Sequence, residues 1–234
     1  MDFKCINQRD NSERSHQVAI MKHIYARAYR VLIYAGESVE GSTNLLEYIS
    51  DTQQPRHRYV TPTPSHALTK IGVKKAVCDF LSRPWFRRVW VIQEAFLAQR
   101  AKFIVGEKEI DWFMLSLERL EELGLKCHLE KGMIPGIFEW MARRHSGDID
   151  LFFALTSTRH CLAADPRDKI FALFGLLSNP SGVSFEVDYS LAVGDVFTLA
   201  AMHLVTSRNS LELLSHAADW HADSSIPSWV PDWS

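Results

Sequence analysis

The chain has 234 residues, 47% of them apolar and 23% charged, with a formal net charge of −2 at pH 7. That length can bury a large core, as one sizeable domain or as a domain with an appendage. The near-neutral balance and a pI of about 6.5 leave no electrostatic footprint for nucleic acid or an anionic membrane.

The polar opening MDFKCINQRDNSERSHQ lacks an apolar h-region. The longest apolar stretches, IFALFGLL and VFTLAAMHLV, fall well short of the ~20 residues that span a bilayer. A soluble, cytoplasmic chain is expected. Cys5, Cys78, Cys127 and Cys161 form no C-x-x-C pair and are expected to be buried reduced thiols. No H-E-x-x-H spacing, dinucleotide fingerprint, P-loop or G-x-S-x-G elbow occurs, so neither a metal site nor a Rossmann cofactor site is expected.

In chain order, FKCI reads as a buried strand that leads through NQRD into an amphipathic helix over 12–30. Met21, Ile24, Tyr25 and Ala28 recur at i, i+3, i+4 and i+7. Asp10 or Ser12 can cap this helix, and Glu13 favours its dipole. VLIYAG follows as a short buried strand ending in a glycine turn. Strand, helix and strand together predict a parallel α/β sheet.

Residues 51–66, polar and containing three prolines, read as a loop. A helix resumes near Ala67 and runs to Leu81, and Pro84 starts another at its first turn. AKFIVGEKEIDW reads as a strand, a tight turn and a short return. From Trp112 onward helices dominate, over 112–123, 134–145, 148–158, 166–178 and 191–207. The fourth is specified by Asp165 as cap, Pro166 at the first helical position and Asp168. The terminal SWVPDWS reads as an extended segment packing its aromatics on the domain surface. The expected fold class is α/β, with a small, mainly parallel sheet flanked by helices over 1–112 and an α-rich part over 113–234.

As one continuous helix, SRPWFRRVWVIQEAF gathers Trp85, Phe86, Val89, Trp90, Ile92, Phe96 and Leu97 in one broad sector, with Arg88 opposite. Gln93 falls inside that sector, and Glu94 sits on its flank one turn after Trp90. Arg87 is too far along the helix for an i, i+4 pair with Glu94. A carboxylate at the edge of an aromatic face either serves chemistry or meets an arginine from elsewhere, and both readings are open. Asn7 and Gln8 lie just beyond the end of the first strand, where open α/β sheets bind ligands. Their amides either read a ribose or nucleobase or close a turn, and the turn is favoured.

Several blocks resemble one family together. CINQRDNSERSHQVAIMKHIYARAYRVLIYAG, RPWFRRVWVIQEAFLAQRAKFIVGEKEIDW, DPRDKIFALFGLL, VDYS and IPSWVPDWS look like successive landmarks of the heterokaryon-incompatibility (HET) domain proteins of filamentous fungi. The resemblance implies self/non-self recognition on cell fusion, a programmed cell-death response, and protein partners or self-association. HET domains are remotely similar to TIR domains, which have a flavodoxin-like layout, and some TIR domains cleave NAD at the nicotinamide–ribose bond. In those enzymes a glutamate lies on a helix four residues after a tryptophan, and Trp90 and Glu94 have that spacing.

The resemblance therefore implies Glu94 as the catalytic residue, with Asn7, Gln8, Trp90 and Gln93 binding substrate. NAD would be the substrate and not a cofactor, and no cofactor is implied. Glu94 would hold the nicotinamide-side ribose hydroxyls and stabilise oxocarbenium-like charge. The alternatives are a non-catalytic interaction module and an inactive truncated fragment. The family usually has a strand block of the type Y-x-A-L-S-Y-x-W-G before Cys-Ile-Asn-Gln. Here Asp2 falls where the family has an aspartate three residues before that cysteine, so the chain is expected to start inside the second landmark, with an open sheet edge.

Overall fold

In a computed structural model, which describes residues 6–38, 45–46, 49, 70–115, 135–144, 149–177, 185–217 and 226–234, the first helix α1 spans Asn11–Arg27. Asp10 caps it, because its extended backbone aims the carboxylate at the N–H groups of Ser12 (2.9 Å) and Glu13 (3.1 Å). The helix ends short of the expected residue 30 because Ala28 turns extended to feed the next strand. Val18 and Met21 are buried, whereas Ile24, expected on the apolar stripe, is 52% exposed. Residues 3–5 of the expected first strand and the expected loop at 51–66 lie outside the described residues.

Strand β1 (Val31–Tyr34) pairs in parallel with β2 (Ala101–Val105), and β2 pairs antiparallel with β3 (Lys108–Asp111). Among the described residues the sheet is thus mixed, in the order β1-β2-β3, with one parallel and one antiparallel pair, and not mainly parallel. The reason is local. Gly106, at φ 56°, supports a tight turn after Val105, so the chain returns at once, whereas a parallel return needs a crossover. Between β1 and β2 the chain crosses over through helix α2 (Lys70–Leu81), a 3-10 turn (Pro84–Arg87) and helix α3 (Val91–Phe96). The later described α-helices are α4 (Gly136–Ala142), α5 (Leu151–Ser157), α6 (Asp168–Phe174) and α7 (Val193–Arg208). No described helix is long and apolar enough to cross a membrane.

Residues 82–96 do not form one continuous helix. Arg88 is extended and bridges to Leu162, with the Val89 N–H donating to the Leu162 carbonyl at 3.0 Å. That long-range pairing splits the segment, so one helical azimuth cannot describe both halves. Helix α6 likewise starts at Asp168, two residues late, because 165–167 form a turn in which the Arg167 N–H donates to Asp165.

Val31, Ile33, Ala101, Phe103, Val105 and Ile110 share one buried sheet face, while Leu32 and Tyr34 on the other are exposed. Helix α3 packs against β1. Phe103 sits at the centre of the buried face, its ring 5.3–5.6 Å from those of Phe80, Trp85, Phe86 and Trp112. Phe138 of α4 stacks on Phe86 and Trp112, each at 5.9 Å. At the C-terminus Trp233 is not laid on the surface as expected. It is buried in the same core cluster, and only Trp229 of that pair shows substantial exposure.

Candidate functional site

The start of α6 collects polar side chains from four separate stretches of sequence. The Asp168 carboxylate accepts from the Trp90 indole N–H at 3.0 Å, from Arg14 at 3.2 Å, and from the Tyr189 hydroxyl. Arg14, on the first turns of α1, also donates to Asp165 at 2.7 Å, and its guanidinium lies 3.6 Å over the Tyr189 ring. Arg167 forks onto Asp165 with bonds of 2.9 and 2.8 Å and reaches the carbonyls of Tyr189 and Leu191. The Ser15 hydroxyl accepts the Tyr189 N–H at 3.0 Å.

Two arginines and two aspartates make this network internally neutral. Charges so far from water persist only when paired and hydrogen-bonded, and these are. Burial, and then the Asp168 carboxylate, push the Tyr189 phenol far above its ordinary pKa, so it acts as a permanent donor. Burial raises Asp168 despite the hydrogen bonds from Tyr189 and Trp90 and the charge of Arg14.

Asp165 goes the other way. Burial pulls it upward, but the hydrogen bonds from Arg167 and Arg14 outweigh that and hold it at about 2. A folded pKa below the unfolded one supplies stability above the unfolded value and loses it as pH falls through the folded one. Unfolding free energy followed by denaturant titration should therefore drop between about pH 4 and pH 2, by on the order of 2 kcal/mol from this group. Asp168 has the opposite sign, contributing stability at low pH that is lost as pH rises through its folded value. The slope that disappears in Asp165→Asn isolates the Asp165 contribution.

Glu94 is half-buried on α3, and its carboxylate accepts from the Trp85 indole N–H at 3.3 Å. Trp90, four residues earlier, turns its own indole to Asp168. Gln93 is 1% exposed and donates to the Ala172 carbonyl at 3.2 Å, while its Oε1 has no hydrogen-bond partner among the described residues. Its carboxamide packs so closely on Gly175 that a Cβ there would lie 2.7 Å from Nε2. Asn7 closes the turn before α1, taking the Arg9 N–H on its side chain and the Asp10 N–H on its carbonyl. Gln8 is exposed in the same turn. Asn7 and Gln8 thus sit at the entry to α1, and the other three sit on or just before α3, which packs against α1.

Of the residues expected from sequence, only Trp90 belongs to the buried polar network. Arg14, Arg167 and Tyr189 carry no sequence signal of their own, and Asp165 and Asp168 read as helix-start signals. The available clue was that DPRD and VDYS concentrate charge and a phenol inside apolar surroundings. No spacing rule links residue 14 to residue 189.

A cleft of about 490 Å³ opens beside this network, between Asn11, Ser12 and Ser15 of α1 and the extended stretch Phe185–Asp188. The Cys161 thiol, raised to about 11 by burial, stays protonated and unreactive at neutral pH. Cys78 is a half-buried free thiol, and Cys5 and Cys127 lie outside the described residues.

Residues 1–94 match the family model for heterokaryon incompatibility protein (HET). Over 304 aligned residues the chain is 21% identical to heterokaryon incompatibility protein 6, OR allele, of Neurospora crassa, covering 100% of this chain and 44% of that protein. The chain therefore spans less than half the length of that relative. No solved structure matches the chain.

Proposed function

We propose that this chain carries a fungal HET domain and acts in heterokaryon incompatibility, in which non-self recognition in the cytoplasm triggers programmed cell death. The observation that carries this reading is the match over residues 1–94, extended by the buried network. Arg14 and Trp90 within the matched region bond to Asp165, Asp168 and Tyr189 beyond it. Residues 1–112 and 113–234 then serve as an α/β core and a helical part of one HET region. The parallel β1–β2 pair with its helical crossover supports a TIR-like, flavodoxin-like layout.

The chemistry proposed within this role is cleavage of NAD at the nicotinamide–ribose bond. Glu94 would stabilise the developing positive charge, and Asn7, Gln8, Trp90 and Gln93 would bind the substrate. A half-buried carboxylate oriented by an indole N–H supports Glu94, because positioning and fixed charge are what such a step requires. A second reading, a non-catalytic interaction module, draws support from Trp90, whose indole is engaged by Asp168.

The test is to express the chain in a fungal host and follow NAD content and viability. The enzymatic reading expects Glu94→Ala to abolish NAD loss and killing together while the circular dichroism spectrum is unchanged. Killing by Glu94→Ala at constant NAD would leave the interaction module.

A further inference from the structure

Trp85 and Glu94 are nine residues apart. In one continuous α-helix they would stand about 13–14 Å apart along the axis and on opposite faces, because nine steps of about 100° leave a half turn. No hydrogen bond could join them there. In the fold, the Trp85 indole N–H reaches the Glu94 carboxylate at 3.3 Å. What brings the two together is the break at Arg88, whose extended backbone separates the 3-10 turn from α3.

The break is held from outside the segment. The Leu162 N–H donates to the Arg87 carbonyl, and the Leu162 carbonyl accepts from the Val89 N–H at 3.0 Å. The bridge therefore grips the chain on both sides of Arg88. The Leu162 side chain is largely exposed, so its backbone does the holding. Its own stretch is fixed in turn. Cys161 is buried, and the buried Lys169 of α6 donates to the Arg159 carbonyl at 2.7 Å. An ammonium withdrawn from water needs such an acceptor. Trp85 has little freedom either. It is buried, and the rings of Phe86, Phe103 and Trp112 meet it edge-on at 5.1, 5.4 and 5.3 Å. Packing thus aims its N–H.

We propose that Trp85 is a positioning residue for Glu94, and that the Arg88–Leu162 bridge sets its reach. A half-buried glutamate on a helix otherwise samples several rotamers. A donor held by a rigid aromatic block selects one of them, which is the preorganisation that a charge-stabilising carboxylate requires. The proposal rests on the NAD reading of Glu94. It adds that the geometry of Glu94 depends on residue 162, which lies outside the stretch 1–94 that matches the family.

The test uses the full chain, isotope-labelled at its tryptophan indoles, with circular dichroism to check that each variant is folded. Trp85→Phe keeps a ring but removes the N–H. It should slow NAD cleavage roughly ten- to hundredfold in kcat with KM unchanged, since a misplaced carboxylate still lets substrate bind. The Trp85 indole resonance, assigned by its loss in Trp85→Phe, should move in Glu94→Gln, while that of Trp90, bonded to Asp168, stays in place. Leu162→Pro deletes the N–H that meets Arg87 and should move the Trp85 resonance and lower kcat as well. Lys169→Met releases the same stretch more gently and should act in the same direction. If the unaltered chain cleaves no NAD, the NAD reading and this role fall together. If it does, undiminished kcat in Trp85→Phe, a raised KM at constant kcat, or a Trp85 resonance that ignores Glu94→Gln overturns the role alone. A resonance unmoved by both Leu162→Pro and Lys169→Met overturns the part assigned to the bridge.

Discussion

Asp168→Ala is expected to lower the unfolding free energy by about 3–5 kcal/mol, the usual consequence of removing one partner from a buried ion pair. Asp168 is 6% exposed and serves three donors at once: Arg14, Trp90 and Tyr189. Its loss strands an indole N–H and a hydroxyl where water reaches poorly, each with its own penalty, and leaves Arg14 with Asp165 as its one aspartate. Denaturant unfolding followed by tryptophan fluorescence measures the change, and Trp90 lies close enough to report on it. Asp168→Asn should cost less, since it keeps an acceptor while losing the charge. Pairing Asp168→Leu with Arg14→Met removes both charges together and should recover part of the loss, whereas additive costs would mean that the two residues act independently.

Phe103→Ala is expected to cost a similar amount, about 3–5 kcal/mol. Phe103 is fully buried at the centre of β2, with four aromatic rings around it. Those rings come from α2, the 3-10 turn before α3, and the stretch after β3, and they brace one another, so the void has little room to collapse. The cost of a cavity rises when its walls cannot relax. Phe103→Leu fills most of the space and should cost clearly less. Against a total of roughly 5–15 kcal/mol for a typical domain, the alanine variant should show a large fall in melting temperature. A small fall would mean that this aromatic block is looser than its geometry implies.

Local signals served well where local chemistry decides. Asp10 caps α1 as its position before the apolar run suggests, and the glycine of AKFIVGEKEIDW makes the tight turn expected of it. The helices expected over 12–30, 134–145, 148–158, 166–178 and 191–207 appear with shifted ends. The one expected over 112–123 is only a 3-10 turn (Trp112–Met114) as far as Leu115, and its remainder lies outside the described residues. Errors arise where a distant residue intervenes. Arg88 leaves helical geometry because Leu162 pairs with it, and nothing within 82–96 announces that partner. Trp233 is buried because a core cluster receives it, a fact absent from the composition of SWVPDWS. The polar network was invisible for the same reason. Arg14, Trp90, Asp168 and Tyr189 each look ordinary in their own stretch, and only the fold makes them neighbours. Glu94 was legible as a carboxylate beside aromatics, yet its indole partner, Trp85, reaches it across the break in the segment.

The bond between Ser15 and Tyr189 joins residues 174 positions apart. During biosynthesis, at about 5–20 residues per second, α1 therefore leaves the ribosome roughly 10–30 s before its polar partners exist. For that interval Arg14 has neither aspartate, and the apolar residues of α1 have no finished core to cover them. The buried ion pairs of the N-terminal third therefore form only once the last third has been made. A stop codon shortly before Asp165 would leave a product with all three described strands but without the two aspartates that hold Arg14 of α1.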